Sequence, residues 1–293
     1  MHRNIVIGPP GTGKTTFLKN KVDDIIKQGK AQPNEIGYFS FTVKAAEEIR
    51  NRVAREKWSD DELKKMYPYF CTLHSLAYKC LRLESHEIMD ELDYIELGDM
   101  TGRKFVNKMK KGNGIDFSMP TAQSQYQDTI NLAYAKYPND KDRLPKIFKE
   151  VKLSDYGARS TILQMDKDLT NFKRDRHKLE YVDYFNSFLE CKNPPALKYL
   201  FIDEAQDLSA HQWMVVDMIQ QISKPIETYV AGDDDQAIFR WAGADIEHFI
   251  NMANDKNNTV IPLTQSYRVP KSVHNLATKM AQSISNRIDK QYN

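Results

Sequence analysis

The stretch Gly8-Pro9-Pro10-Gly11-Thr12-Gly13-Lys14-Thr15-Thr16 has the residue types and spacing of a phosphate-binding loop. It follows the short apolar run Asn4-Ile5-Val6-Ile7 and precedes a helical pattern, the context that such a loop requires. Glycines let the backbone curl until its N–H groups face phosphate oxygens. Lys14 can reach the outer phosphates, the Thr15 hydroxyl can ligate Mg²⁺, and the following helix adds its positive end. Taken alone, the stretch could also be a Gly/Pro turn without a ligand.

Further along, Asp203-Glu204 ends the apolar run Tyr199-Leu200-Phe201-Ile202. Ligands of open α/β sheets bind at the C-terminal edge of the strands. Asp203 there can hold Mg²⁺ opposite the loop, and Glu204 can take a proton from an attacking water; an acidic pair could instead cap the next helix. Gln236, in Gly232-Asp233-Asp234-Asp235-Gln236, can orient water or sense a γ-phosphate, unless the stretch is simply a polar turn. Trp241 can stack on an unpaired base or lie in a core. Arg268, in Gln265-Ser266-Tyr267-Arg268, can serve as an arginine finger or as a surface cation.

These groups need elements to hold them. Phe17, Leu18, Val22, Ile25 and Ile26 recur at helical spacing, and Gly29 ends that pattern. Residues 36–41 read as a buried strand and 43–55 as a helix; Leu73, Leu76, Ala77, Cys80 and Leu81 mark another helix. From about Leu83 to Lys178 no strand run is found; helices are expected over 102–111, 123–137 and 156–172. Strands return at 199–202, 226–231 and 259–263, with helices around Trp213 to Ile219 and from Pro270. Strand–helix alternation on both sides of a helical block predicts an α/β fold with a parallel sheet and an all-helical insertion. Arg103, Lys104, Lys108, Lys110 and Lys111, and then Lys173, Arg174, Arg176 and Lys178, form two basic clusters. They read either as solvated helix faces or as contacts to a phosphate backbone.

The chain has 293 residues, enough for one large or two smaller units. A net charge of +2 gives no global basic field, so any nucleic-acid surface must be local. Three cysteines (Cys71, Cys80, Cys191) lack metal-ligand spacing and read as reduced thiols of a cytoplasmic protein. The sequence carries neither a signal-peptide pattern nor an apolar run long enough to span a membrane.

Taken together, the motifs resemble the UvrD/Rep/PcrA group of superfamily-one helicases. Gly8 to Thr16 resembles motif I; Phe41-Thr42-Val43-Lys44-Ala45-Ala46 is similar to motif Ia, which in that family lies against single-stranded DNA; Thr72-Leu73-His74-Ser75-Leu76-Ala77 is similar to the T-x-H-S-L-A motif, whose His contacts the strand. Val182-Asp183-Tyr184 loosely resembles the D-F-D-D-L-L segment, and Asp203-Glu204-Ala205-Gln206-Asp207 resembles motif II. Gly232 to Ala244 looks like motif III, and Gln265 to Arg268 like motif IV. The resemblance implies a RecA-like P-loop fold that binds and hydrolyses ATP with Mg²⁺ to move 3′-to-5′ on single-stranded DNA and open ss/dsDNA junctions. Lys14, Gln236 and Arg268 would act on phosphates beside the base Glu204, Thr15 and Asp203 would serve the metal, and Phe41, Thr42, Lys44, Thr72, His74 and Trp241 would serve DNA. It also implies domain 1A over 1–83 and 179–268, a 1B-like insertion over 84–178, and the start of a second motor domain over 269–293. The family's adenine-reading Gln segment and the rest of its second RecA-like domain have no counterpart in the sequence. A nucleotide- and DNA-binding half-motor with little turnover is therefore the main alternative, and a P-loop ATPase not acting on nucleic acid is another.

Overall fold

The computed structural model describes residues 2–54, 58–106, 122–284, 286–288 and 290, with backbone alone for 122–124. Strands β1 (Asn4–Ile7), β2 (Ile36–Phe39), β3 (Phe70–Cys71), β4 (Tyr199–Ile202), β5 (Glu227–Gly232) and β6 (Thr259–Pro262) form one sheet in the order β3-β2-β4-β5-β1-β6. Every neighbouring pair runs parallel. Parallel strands covered on both faces should be apolar throughout rather than alternating with polar residues. That holds for the inner strands: Ile5, Ile7, Phe39, Leu200, Ile202 and Val230 enter one core, while Val6, Tyr38, Tyr199, Phe201, Tyr229 and Ala231 enter the core on the opposite face. The edge strand β6 stays largely exposed.

Helices α1 (Lys14–Lys27), α2 (Val43–Val53) and α3 (Asp60–Met66) cover the second face with Leu18, Val22, Ile25, Ile49, Val53 and Leu63. The first face is covered by α4 (Leu73–Leu81) and by α9 (Tyr181–Cys191), α10 (Ala210–Ser223) and α11 (Ile246–Asn254). Between α4 and α9 lie α5 (Glu91–Thr101), α6 (Ala122–Lys136), α7 (Arg143–Glu150) and α8 (Tyr156–Arg176). These four bury a separate cluster that includes Tyr94, Leu97, Ile130, Ile147, Phe148, Ile162, Met165 and Leu169. Helix α12 (Lys271–Ala281) follows β6 and buries none of its residues.

Several expectations need correction. The helix expected over 102–111 does not begin there: α5 ends at Thr101 and Gly102 caps it in the left-handed conformation. Residues 103–106 are not helical, and 107–111, with Lys108, Lys110 and Lys111, lie outside the described residues. The strand expected over 36–41 stops at Phe39, because Thr42 caps α2 by accepting from the Ala45 N–H at 3.2 Å. The second basic cluster is not a free cationic face. Lys173, part-buried, pairs with Glu180 at 3.0 Å and Asp183 at 2.8 Å, and Lys178 pairs with Asp93 at 2.9 Å. Arg174 pairs with Asp175 and Arg176 with Glu96. In the first cluster, Arg103 pairs with Asp168 at 2.7 Å.

One packing feature ties the sheet together. Tyr229, Phe201, Tyr38 and Phe70 stack across β5, β4, β2 and β3, with ring centroids 5.2, 6.0 and 5.6 Å apart in that order. Phe201, fully buried, is one of the two inner rings of this ladder. Phe201→Ala should therefore destabilise the chain by about 3–5 kcal/mol, from lost transfer energy and the cavity left behind. Urea unfolding followed by circular dichroism measures it; a cost near that of a surface substitution would show that the ladder carries little.

Candidate active site

The phosphate-loop residues sit where β1 ends. Gly11 takes φ 77°, a left-handed conformation that other residues adopt only with strain. Gly13 caps α1 without a side-chain hydrogen bond, and the first turn of α1 has no acidic residue. Its leading N–H groups therefore remain available to an anion, with the positive end of the helix behind them. The Lys14 amine is folded into the loop, donating to the Gly8 carbonyl at 2.8 Å and the Pro9 carbonyl at 3.5 Å. The Thr12 hydroxyl donates to the Pro9 carbonyl at 2.9 Å, closing the turn.

β4 neighbours β2 and β5 in the sheet, and its end brings Asp203 to this loop. The Thr15 hydroxyl donates to Asp203 Oδ2 at 2.9 Å, and the buried Tyr38 hydroxyl donates to the same oxygen at 2.8 Å. The other oxygen accepts the Glu204 N–H at 3.0 Å. Burial, and then the neighbouring Glu204, push the Asp203 carboxyl above the usual carboxylate range, against the pull of those hydrogen bonds. A buried carboxylate plus a hydroxyl fits Mg²⁺, a hard cation that takes few protein ligands and keeps waters and phosphate oxygens for the rest of its shell.

Glu204 stands in the left-handed region at φ 53°, unusual for a residue with a side chain. Such a backbone persists only where its surroundings hold it. Here Ala205 and Gln206 are buried on its C-terminal side. Gln206 is a bridge: its amide donates to Glu204 Oε2 at 2.9 Å, and its carbonyl accepts the Asp233 N–H at 3.1 Å. Gln236 in turn donates to Asp233 Oδ2 at 2.5 Å. Asp207 lies behind Glu204; burial first, and the charge of Glu204 second, push its carboxyl up to about 7.

On the other flank, the segment after β6 lies across the loop. The Ser266 hydroxyl donates to the Pro10 carbonyl at 2.9 Å, and the Tyr267 N–H to the Gly11 carbonyl at 2.9 Å. A Cβ on Gly11 would run into that of Arg268. The exposed Arg268 side chain thus starts beside the loop.

The nucleic-acid candidates divide. Trp241 is 58% exposed, so it is not a core residue. Its ring lies 6.4 Å from Phe239, which lies 5.3 Å from Phe41. Phe41 follows β2 and Phe239 follows β5, so these rings cross the end of β4, with Thr42 and Lys44 exposed alongside. Thr72 is buried, and its hydroxyl caps α4 by accepting from the Ser75 N–H at 3.2 Å. The His74 ring packs 4.2 Å from Phe185 and edge-on to Tyr181. Burial, with His211 nearby, lowers His74 to about 4, so it is neutral at pH 7. The structure thus brings together Lys14, Thr15, Asp203, Glu204 and Gln236, places Phe41 and Trp241 on one surface, and sets Thr72 and His74 behind it. Sequence reasoning assigned no role to Tyr38 or to the Gln206 bridge. The only available signal for Gln206 was its place inside the Asp203–Asp207 motif.

Gly243 ends the Trp241 turn at φ 97°, and an added Cβ would press on Ala135 of α6. The insertion therefore leans directly on the turn that carries Trp241.

Residues 1–257 match the family model described as the UvrD/REP helicase N-terminal domain. The chain is similar to a probable DNA helicase II homolog of Rickettsia felis, 26% identical over 97% of this chain and 43% of that protein. It is also similar to the ATP-dependent DNA helicase PcrA of Staphylococcus aureus, 26% identical over 97% of this chain and 38% of that protein. A homologue of the first kind in Rickettsia conorii is 27% identical over 97% of this chain. The chain therefore spans about two fifths of the length of these relatives.

The Asp207 carboxyl sets a pH dependence. A folded value raised from 3.8 to about 7 means stability that is full below pH 3.8 and lost as pH rises through 7. His74 and His211, lowered from 6.5 to about 4, act oppositely, losing stability as pH falls below 6.5. Between about pH 4 and 7 the Asp207 contribution should dominate the difference between the wild type and Asp207→Asn, because the histidine contributions are common to both. The variant is expected to lose less stability over that interval, measured as urea midpoints at the two pH values. Parallel midpoints would mean that Asp207 ionises freely in the folded chain.

Proposed function

The chain belongs to the UvrD/REP helicase family, and from that premise we propose that it is the nucleotide-binding core of a DNA helicase motor, coupling ATP hydrolysis to movement on single-stranded DNA. One observation supports this most directly: the 2.9 Å hydrogen bond from Thr15 to Asp203, which joins the phosphate loop to a buried carboxylate beside Glu204. In this reading the N–H groups of Gly8 to Thr16, with Lys14, hold the nucleotide phosphates. Thr15 and Asp203 hold Mg²⁺, which when bound neutralises charge on the phosphates. Glu204, held by its own backbone and by Gln206, accepts a proton from the attacking water. Gln236 and Arg268 approach the outer phosphate from opposite flanks.

The rings of Phe41 and Trp241 form the platform for unpaired bases, and Thr42 and Lys44 take the backbone phosphates. Thr72 and His74 act from behind, as supports for that surface. Residues 84–178 serve as an inserted 1B-like subdomain and 179–268 complete domain 1A. Residues 269–293 lead toward a second RecA-like domain, supplied in cis or in trans. Movement in the 3′-to-5′ direction, action at ss/dsDNA junctions and a cytoplasmic setting follow from the family resemblance; among the described residues no helix is long and apolar enough to cross a membrane. In a second reading this stretch by itself binds both ligands but turns over slowly; it spans about two fifths of the length of the relatives it matches.

The test is Mg²⁺-dependent ATP hydrolysis with and without single-stranded DNA, beside Glu204→Gln. Strand-stimulated turnover that vanishes in Glu204→Gln, with nucleotide binding intact, is the expected result. Binding of both ligands without turnover would select the second reading. Failure to bind either would defeat both.

Trp241→Ala should weaken single-strand affinity by about 1–3 kcal/mol while leaving the melting temperature nearly unchanged, because the ring is exposed. Anisotropy titration of a labelled oligonucleotide reads it, and an unchanged affinity would remove the ring from the platform.

A further inference from the structure

The turn that carries Gln236 contains three consecutive carboxylates, Asp233, Asp234 and Asp235. Asp233 and Asp234 are buried. Like charges so close, out of water, repel strongly unless cations are shared among them. The cations come from the residues after α12. The Lys290 amine lies 2.5 Å from Asp233 Oδ1 and 3.1 Å from Asp235 Oδ2, and it also pairs with Asp234. Its side chain is only 2% exposed. Arg287 makes two parallel bonds to Asp235, at 3.0 and 2.7 Å. The Ile288 N–H donates to Asp234 at 2.7 Å, and the Ile288 side chain enters the core beneath the turn.

Lys290 engages one oxygen of Asp233, and Gln236 donates to the other. The Asp233 N–H continues the line to the Gln206 carbonyl, and the Gln206 amide continues it to Glu204 Oε2. An unbroken path of charged and hydrogen-bonded groups thus runs from Lys290 to both Gln236 and Glu204. We infer that Lys290 is a positioning residue: by neutralising the acidic turn it fixes Asp233, and through Asp233 it sets where Gln236 and the Gln206–Glu204 pair stand. Burial works to lower the lysine's pKa, yet Asp233 and Asp234 more than reverse this, so its charge is firmly held. Arg287, Ile288 and Lys290 then act together as a strap, and displacing them would be felt at the nucleotide site. This inference rests on the proposed role of Gln236 in reading the outer phosphate.

The test is hydrogen exchange by mass spectrometry on the full chain, comparing wild type, Lys290→Met and Lys290→Arg. In the absence of nucleotide, Lys290→Met should speed exchange of the peptide spanning residues 233–237 by about tenfold, with the phosphate-loop peptide unchanged. Lys290→Arg, which keeps the charge, should restore most of the protection. If Lys290→Met does not fold, Arg287→Gln removes the other cation, and its increase should be confined to the same peptide. Unchanged exchange at 233–237, or an equal rise throughout the chain without rescue by arginine, would overturn the inference.

A second arm adds ADP or a non-hydrolysable ATP analogue. The wild type should protect residues 233–237 more with the analogue, and Lys290→Met should lose that difference while still binding both nucleotides. A wild type that treats the two nucleotides alike would sink the Gln236 reading; the exchange measured without nucleotide would still decide the Lys290 inference.

Discussion

Asp203 is a carboxylate taken out of water with hydroxyls and an amide, rather than a lysine or arginine, against it, and the rest of the site follows from meeting that constraint. An ionised group so placed is costly unless each lone pair finds a donor. Thr15, Tyr38 and the Glu204 N–H supply them, and each donor fixes something else. Thr15 draws the start of α1 to the end of β4. Tyr38 must alternate inward on β2, which places its ring in the aromatic ladder. Glu204, whose N–H closes the set, itself stands in a left-handed backbone, a strain of about 1–3 kcal/mol that buried neighbours must hold in place. Against the pull of these donors, burial and the neighbouring Glu204 still leave the carboxyl above the usual carboxylate range.

The same strand end organises the surface above it. Because β4 lies between β2 and β5, turns leaving the two outer strands meet over Asp203 and Glu204. Phe41 and Phe239 touch there, with Trp241 beside them. Asp233 and Gln236, at the start of the turn that ends at Trp241, belong to the hydrogen-bonded line that includes Gln206 and Glu204. A base stacked on the rings and a phosphate beside Glu204 would thus share one short stretch of backbone. That stretch is braced twice more, by α6 against Gly243 and by the strap carrying Lys290.

What could be read from the sequence was contiguous. The phosphate loop, the Asp203–Asp207 motif and the apolar strands β1, β2, β4 and β5 each announce themselves within a few residues, and the parallel sheet follows from their alternation with helices. β3 has two residues, too few for any period to show. The helix expected from 102 fails because Gly102 closes the helix before it rather than opening another. Lys173 and Lys178 looked like a basic face because their partners, Asp93, Glu180 and Asp183, become neighbours only in three dimensions. The contacts of Tyr38 with Asp203 and of Lys290 with Asp233 were hidden for the same reason. His74 carries a recognisable motif, yet its packing against Phe185 joins α4 to α9, which lie far apart in the sequence.

The neighbours of β1 have a bearing on how the chain is made. Ile5 pairs with Val230 on one side and Val260 on the other, so the strand that carries the phosphate loop has no adjacent partner until most of the chain exists. At ribosomal rates of roughly 5–20 residues per second, that is a wait on the order of ten seconds or more. Meanwhile the helical block between α4 and α9 has its own apolar cluster, every residue of which precedes β5 in the chain. Until β5 and β6 exist, β1 is an apolar strand with both edges unpaired. The nucleotide site would be among the last parts of the molecule to form.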